Sequence, residues 1–272
     1  MRRVILLSFD VEEFDIPLEY GDAVSAETQI QVSADGLELL LELLSRLNIQ
    51  ATFFTTAAFA LQRPELIRRV AQDHEIASHG YSHTGFEMGD LLRSRLVLEE
   101  ITGSPIVGIR RARLEITPEE ALRAAGYLYD SSVNPIFLPG RYNNLSLPRT
   151  AWENEGLLQI PISATPWLRL PLFWLSFKNL PAAWMRAASL LTLYHDAYLN
   201  LFFHTWEFCD LKPYRLPWYV RRMDGGRLLL RLERYLNWLQ AQADFVSLSE
   251  FRTMFLTTSV ATPEIRLESM PS

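Results

Sequence analysis

Short apolar runs alternate with helical patterns along almost the whole chain, and this alternation restricts the fold more than any other feature. The first apolar run, Val4–Phe9, is followed by Ala34–Leu47, in which leucines recur at helical spacing. The further predicted strands are Ala51–Thr55, Glu75–Ser78, Val107–Arg111, Tyr127–Tyr129, Leu158–Ile162, Leu199–Phe203 and Phe245–Leu248, with helices between them that include Pro64–Gln72, Leu91–Ile101 and Arg227–Ala241. Roughly seven or eight strands alternating with helices over about 250 residues are typical of a parallel α/β architecture, either a (β/α) barrel or an open sheet.

No linker, internal repeat or low-complexity segment divides the chain, so residues 1–256 are expected to form one domain. The polar stretch 257–272 is expected to be a frayed C-terminal tail. Thr117 and Glu120 form a capping-box pattern, which predicts that a helix begins there.

Charge and cysteine content exclude several classes of protein. The 272 residues carry a formal net charge of −6, and binding to nucleic-acid phosphates needs a basic face, so no nucleic-acid partner is expected. The single cysteine, Cys209, excludes an intramolecular disulfide and any multi-cysteine metal site. A metal ion would therefore be held by His, Asp and Glu. The chain has five histidines, which are His74, His79, His83, His195 and His204.

The N-terminus has two arginines before an apolar run, as a signal peptide would. Only four apolar residues, Val4–Leu7, separate Arg3 from Ser8, and acidic residues follow at once. This is shorter than a signal-peptide core, so a buried first strand is the better interpretation. We expect the mature chain to begin near Met1 and to remain in the cytoplasm.

The stretch from Gly156 to His195 contains no acidic residue, and six of the seven tryptophans lie between Trp152 and Trp218. Prolines and Lys178 interrupt it, so it is not a transmembrane helix. One interpretation of its central part, about 163–195, is an excursion that packs as core and loops. The other is an aromatic wall for sugar rings or a surface for a partner or membrane, although membrane association is not the expected role. The sequence carries no signal for an oligomeric state.

Polar residues follow several predicted strands directly. In parallel α/β folds catalytic groups gather at the C-terminal ends of strands, so we expect these residues to meet at one face. They are the segment Asp10-Val11-Glu12-Glu13 after the first strand, Ser78-His79-Gly80-Tyr81-Ser82-His83 after the third, Arg110-Arg111 after the fourth, and His204 after the strand near residue 200.

His79 and His83 are four residues apart, a spacing that places two imidazoles on one side of a helix or tight turn and suits one metal ion. A carboxylate from elsewhere would complete a set of two histidines and one carboxylate. Asp10 and Glu12 could both reach that site only if the strand ends there and turns. Each pair alone is weak evidence, and a histidine such as His204 is more often a core residue. Their occurrence at the ends of different strands is what predicts a metal site.

Four segments, in order, resemble motifs of the polysaccharide deacetylase family, carbohydrate esterase family 4. They are Ser8-Phe9-Asp10-Val11-Glu12-Glu13-Phe14, Ser78-His79-Gly80-Tyr81-Ser82-His83, Gly108-Ile109-Arg110-Arg111-Ala112 with Tyr129-Asp130-Ser131-Ser132 after it, and Phe203-His204-Thr205-Trp206-Glu207-Phe208. Ile160-Pro161-Ile162-Ser163, followed by Trp167-Leu168-Arg169-Leu170-Pro171, is similar to the branch that serves exopolysaccharide pathways and includes peptidoglycan deacetylase-like members.

The resemblance implies a distorted (β/α) barrel of seven or eight parallel strands and a metal-dependent N-deacetylase acting on an N-acetylated sugar or glycan. It implies a divalent metal ion, with Zn²⁺ as the expected one. The implied roles, position by position, are catalytic base for Asp10, metal ligands for Glu12, His79 and His83, partner of the base for Arg110, catalytic acid for His204, and orientation of that histidine or of a substrate hydroxyl for Asp130.

The sequence departs from the family pattern at several positions. Glu12 stands where many members have Asp, and Glu13 is an alternative ligand. Ala112 and Thr205 each replace a usual proline. Two other functions therefore stay open: hydrolysis of a non-sugar amide or ureide C–N bond on the same barrel, and glycan binding by a catalytically degenerate member.

Overall fold

The computed structural model describes residues 2–138, 140 and 142–260. The strands are β1 Val4–Val11, β2 Thr52–Thr55, β3 Glu75–Ser78, β4 Gly108–Ile109, β5 Tyr129–Asp130, β6 Phe137–Leu138, β7 Tyr142–Asn143, β8 Trp152–Asn154, β9 Leu157–Gln159, β10 Tyr198–His204 and β11 Asp244–Phe245. The α-helices are α1 Ala26–Leu47, α2 Ala57–Gln62, α3 Pro64–Asp73, α4 Asp90–Thr102, α5 Glu119–Ala124, α6 Trp174–Asn179, α7 Ala182–Asp196, α8 Trp218–Arg221, α9 Gly225–Gln240 and α10 Leu248–Val260.

One curled sheet organises these elements, with strand order β10-β1-β2-β3-β4-β5-β9-β8 and with β11 paired to the start of β1. Within the described part of this sheet, β8 with β9 is the one antiparallel pairing, and the other pairings are parallel. The predicted (β/α) barrel is confirmed in a distorted form, as a mixed sheet with helices on its outer side.

Polar contacts bring the β9 side of the sheet to β10. Ser163, four residues after β9, donates its backbone N–H to the carbonyl of Asn200 at 3.0 Å, and its Oγ accepts from the Asn200 N–H at 2.8 Å. The buried Asn200 amide also donates to the carbonyls of Ile160 and Pro161. These contacts satisfy backbone N–H and C=O groups that are not paired in the strand ladder. They join residues after β9 to β10 and so hold the sheet in its curled form.

The first strand shows how the sequence positions the site. Every residue of β1 is buried, as expected for a central parallel strand. Val4 and Leu6 pack inside the curl with Phe251 of α10, whereas Leu7 and Phe9 belong to the core under the outer helices. Side chains alternate along a strand, so Asp10 shares the inner side with Val4 and Leu6 and lies near the C-terminal end of the strand.

Some predicted boundaries are wrong. Helix α1 begins at Ala26, where Ser25 accepts a capping hydrogen bond from the Thr28 N–H at 3.1 Å, and not at Ala34. Helix α5 begins after Pro118 without a side-chain cap, so the predicted capping box does not form.

The C-terminal region also differs from expectation. After the two-residue strand β11, residues 248–260 form α10, so the start of the expected tail, 257–260, is the end of a helix. The rest of that tail, 261–272, lies outside the described residues. No helix among the described residues has the length and apolar character needed to cross a membrane.

Candidate functional site

Neighbouring strand ends deliver the polar residues to one cleft. Asp10 and His204 are register partners at the ends of β1 and β10, and His79 directly follows β3. The cleft has a volume of about 70 Å³. Its polar lining includes the predicted residues Asp10, Glu12, His79, His83 and His204.

Glu12 connects the two histidines of the His-x₃-His pair. Its Oε2 lies 3.0 Å from Nε2 of His79 and 3.4 Å from Nε2 of His83. Gly80 adopts a left-handed φ of 90°, which glycine reaches without steric cost, and the turn leaves the two imidazoles stacked at 8°. The indole N–H of Trp206 donates to Oε1 of Glu12 at 3.1 Å and fixes the carboxylate from its other side.

The donor set fits a divalent metal ion. Two donors bound to one tetrahedral zinc at about 2.0–2.1 Å are roughly 3.3 Å apart, close to the separations between Glu12 and the two imidazoles. Asp15 Oδ1 lies 2.6 Å from Nδ1 of His83, the carboxylate–histidine arrangement that orients metal-binding imidazoles. Among the described residues, however, no group of three or more His, Cys, Asp or Glu side chains is already spaced to hold a metal ion, so these side chains would have to adjust to bind one. A bound ion would replace the direct contacts between Glu12 and the imidazoles.

Electrostatics at this cluster favour charged side chains. Burial alone would lower the pKa of His83, but the carboxylates of Glu12 and Asp15 outweigh it and raise the pKa to about 9. Burial would raise the pKa of Glu12, yet the nearby histidines, His83 first, hold that pKa well below its usual value. A metal ion bound here must therefore displace a proton from His83, and its affinity must depend on pH.

Glu13 and Glu12 differ in their surroundings, although either carboxylate was an open choice from sequence. Glu13 Oε2 accepts a hydrogen bond from Thr56 Oγ1 at 3.0 Å, whereas Glu12 reaches both imidazoles. Burial raises the pKa of Glu13. The structure thus places Glu12, and not Glu13, between the two histidines.

Arg110 fixes Asp10. The guanidinium is fully buried and donates from Nη1 to Oδ1 of Asp10 at 2.7 Å. It also donates to the carbonyl and hydroxyl oxygens of Ser131 and lies 4.1 Å from the ring centroid of Phe54. Ser131 and Phe54 hold the guanidinium in place, and the guanidinium in turn fixes Oδ1 of Asp10. The other oxygen, Oδ2, is therefore directed toward the cleft and lies 3.9 Å from Nε2 of His204.

His204 presents its two ring nitrogens to different groups. Nε2 lies 3.9 Å from both Asp10 Oδ2 and Glu12 Oε1. Nδ1 lies 3.1 Å from Oε1 of Glu207, which also accepts the backbone N–H of His204 at 2.7 Å. Burial would lower the pKa of His204, but the three carboxylates, with Glu12 the largest influence, raise it.

No hydrogen bond or ion pair joins Asp130 to His204 among the described residues, and its other predicted role, orientation of a substrate hydroxyl, stays a prediction. Its Oδ1 accepts from the backbone N–H and the hydroxyl of Ser132, and burial raises its pKa to about 6. Glu207 contacts Nδ1 of His204 in its place. Nothing in the sequence predicted Glu207 or Asp15 for these positions, although the His204-x-x-Glu207 spacing after a strand was a usable signal.

The aromatic-rich excursion supplies part of the cleft wall. Phe173, Trp174 and Leu175 line the cleft, and Trp174 meets the His204 ring edge-on at 4.9 Å. Trp206 stacks on that ring at 4.8 Å and also meets Trp174 edge-on at 5.7 Å. The excursion therefore packs around the predicted acid.

Comparisons with known proteins show the family and the fold that this chain resembles. Residues 2–128 match the family model described as polysaccharide deacetylase, which confirms the resemblance over that part of the chain. A stretch of 45 residues is 49% identical to a chitooligosaccharide deacetylase of Sinorhizobium fredii, covering 16% of this chain and 21% of that relative's length.

Solved structures share the fold. A crystal structure of a putative polysaccharide deacetylase from Mycobacterium smegmatis superposes with a TM-score of 0.66 at 21% identity, over 99% of this chain and 94% of that one. A PuuE allantoinase superposes with a TM-score of 0.64 at 17% identity, over 94% and 90% of the two chains. At these identities the two likenesses establish the fold alone.

Proposed function

We propose that this chain, whose residues 2–128 match the polysaccharide deacetylase family model, is a metal-dependent hydrolase. It removes the N-acetyl group from an N-acetylated sugar or glycan and releases acetate. One observation carries the proposal. The cluster of Glu12, His79 and His83, the fixed carboxylate of Asp10 and the imidazole of His204 all face one small cleft.

Glu12, His79 and His83 would hold a divalent ion, with zinc as the expected metal. When bound, such an ion supplies a water of lowered pKa and a Lewis acid for the amide carbonyl. Asp10 accepts the proton of the attacking water, and Arg110, at 2.7 Å, holds that carboxylate in its orientation beforehand.

His204 acts at the other end of the reaction. An amine leaves poorly unless it is protonated as the C–N bond breaks, and Nε2 of His204 supplies that proton. Because Glu207 faces Nδ1, the Nε2 nitrogen is the one turned toward the reacting amide. The products are acetate and a free amino sugar.

Aromatic side chains support a sugar substrate. Trp174 and Phe173 border the cleft beside His204, and flat rings of this kind pack against the apolar faces of pyranoses. We treat residues 1–256 as the catalytic domain that presents this wall.

The fold comparison gives a second candidate. The polar groups that line the cleft would act in the same way on any amide or ureide C–N bond that reaches them. The fold is shared with an allantoinase. Hydrolysis of a non-sugar C–N bond is therefore the alternative substrate class.

The test supplies zinc-loaded protein with chitooligosaccharides in one arm and with allantoin in the other. Acetate release from the first arm supports the proposal, and ureide hydrolysis without acetate supports the alternative. Asp10→Asn should lose activity by about 10²–10⁴-fold while it retains zinc, whereas Asp73→Asn, on the exposed end of α3, should match the wild type. If zinc-loaded protein hydrolyses neither substrate, both hydrolase candidates fail for these substrates, and glycan binding without turnover is the remaining interpretation.

A further inference from the structure

Lys178 is a buried charge that the proposed reaction does not use. It lies on α6 within the aromatic-rich excursion, and its side chain is fully buried. Its Nζ donates a hydrogen bond to the carbonyl of Val220 at 2.8 Å and lies 3.1 Å from Oε2 of Glu207. A lysine is almost never fully buried unless it is paired, so its position here needs a reason.

Glu207 lies between Lys178 and His204. One carboxylate oxygen, Oε1, contacts Nδ1 and the backbone N–H of His204, and the other faces Lys178. Oε2 has no hydrogen-bond partner among the described residues, so the ammonium charge is what stabilises that oxygen. A carboxylate with no exposed surface would otherwise take up a proton or turn away from the imidazole.

The ionised Glu207 determines which nitrogen of His204 carries the resting proton. A carboxylate accepts hydrogen bonds and donates none, so it selects the form with hydrogen on Nδ1. Nε2 is then free to exchange a proton on the cleft side, where Asp10 and Glu12 lie 3.9 Å away. Trp174, on the same helix as Lys178, packs edge-on against the ring and limits its rotation.

We propose that Lys178 is a positioning residue for His204, which acts through Glu207 to keep the imidazole protonated on Nδ1 with Nε2 directed into the cleft. This inference rests on the proposed function, in which His204 protonates the leaving amine. It also gives the excursion a role, since α6 delivers both Lys178 and Trp174 to the imidazole.

Nitrogen-15 NMR of histidine-labelled, zinc-supplemented protein tests the relay without requiring turnover. The chain has five histidines, so the signals of His204 can be assigned by their absence in His204→Gln. The wild type should show His204 protonated on Nδ1, with a downfield proton shared with Glu207. Lys178→Met, which keeps the length of the side chain, should lose that proton signal, and Lys212→Met, at an exposed lysine, should retain it.

Kinetics on chitooligosaccharides supply the second readout. Lys178→Met and Glu207→Gln should each lower kcat at least tenfold with KM within twofold, and the double variant should be no slower than Glu207→Gln alone. Additive losses would instead indicate independent structural roles and would overturn the relay. Glu207→Gln, an isosteric change, keeps the test valid if Lys178→Met does not fold.

The two proposals can fail separately. A His204 signal that changes in Lys178→Met supports the relay even if no acetate is released, and the missing acetate then counts against the proposed function alone. An unchanged His204 spectrum in folded Lys178→Met and Glu207→Gln overturns the relay, whatever the turnover.

Discussion

Asp10 and His204 are register partners on the adjacent parallel strands β1 and β10, and Oδ2 of one lies 3.9 Å from Nε2 of the other. Register partners keep their separation unless one strand slides along the other, which would move every side-chain pair of the ladder. The predicted base and acid are therefore fixed relative to each other by the sheet, and the loops around them supply the groups that set their charge.

Arg110→Met should reduce the free energy of unfolding by about 3–5 kcal/mol, because it leaves the buried Asp10 carboxylate without its cation. Urea denaturation measures this change. Arg2→Met breaks an exposed ion pair with Asp244 and should cost only about 0–1 kcal/mol. Equal losses in the two variants would show that the Arg110–Asp10 pair is not a buried determinant of stability.

Asp15→Asn should weaken zinc binding by about 10–100-fold, since the Asp15 carboxylate orients His83 and supports its basicity. Competition with a coloured chelator measures the affinity. Asp35→Asn, at an exposed position on α1, is the matched control and should bind zinc as the wild type does. If Asp15→Asn binds zinc as tightly as the wild type, then either His83 is not a metal ligand or Asp15 does not orient it.

Asp130 should make stability fall as the pH rises. Burial raises its pKa in the folded chain to about 6 from an ordinary value of 3.8, so the folded state holds this proton more tightly than the unfolded state does. The resulting loss begins as the pH rises above about 4 and is complete above about 6.

Asp130→Asn tests that sign, because an amide has no charge to bury. It should gain on the order of 1–3 kcal/mol over the wild type at pH 7 and nothing at pH 3. Thermal denaturation across this range measures the difference. A variant that is less stable than the wild type at pH 7 would contradict the sign.

Gly36→Ala should destabilise the chain although alanine favours helices. A Cβ on Gly36 of α1 would lie 1.9 Å from the carbonyl oxygen of Thr205, next to His204. We expect a loss of about 1–3 kcal/mol and a lower kcat, as the turn Thr205–Phe208 is displaced. Gly226→Ala, in α9 with open space around it, should instead gain about 0.5–1 kcal/mol. The same stability change in both variants would contradict close packing of α1 on the turn.

The sequence predicted the placement of Asp10, His79 and His204 because each lies at or directly after the C-terminal end of a buried parallel strand, and such strands end at one face. It did not predict Glu207 or Asp15, because their contacts depend on the turns after β10 and β1. Those turns bring together residues whose spacing has no strand or helix period.

Two helix boundaries were missed for a related reason. The first turns of α1, Ala26–Ser33, contain mostly polar residues, so the leucine periodicity does not reach them. Phe245–Leu248 has the apolar character of a strand, but tertiary packing of Leu248 and Phe251 inside the curl makes residues from 248 onward a helix. Local pattern could not decide between these alternatives.

Zinc-dependent acetate release tests the central proposal most directly. Chelator-treated protein is titrated with zinc, and acetate released from a chitooligosaccharide is measured against zinc bound. We predict that release is absent without metal, rises in proportion to bound zinc and reaches its plateau at one ion per chain, and that Glu12→Gln lowers both binding and release. Acetate release that persists without metal, or no release at one zinc per chain, would contradict a deacetylase site built on Glu12, His79 and His83.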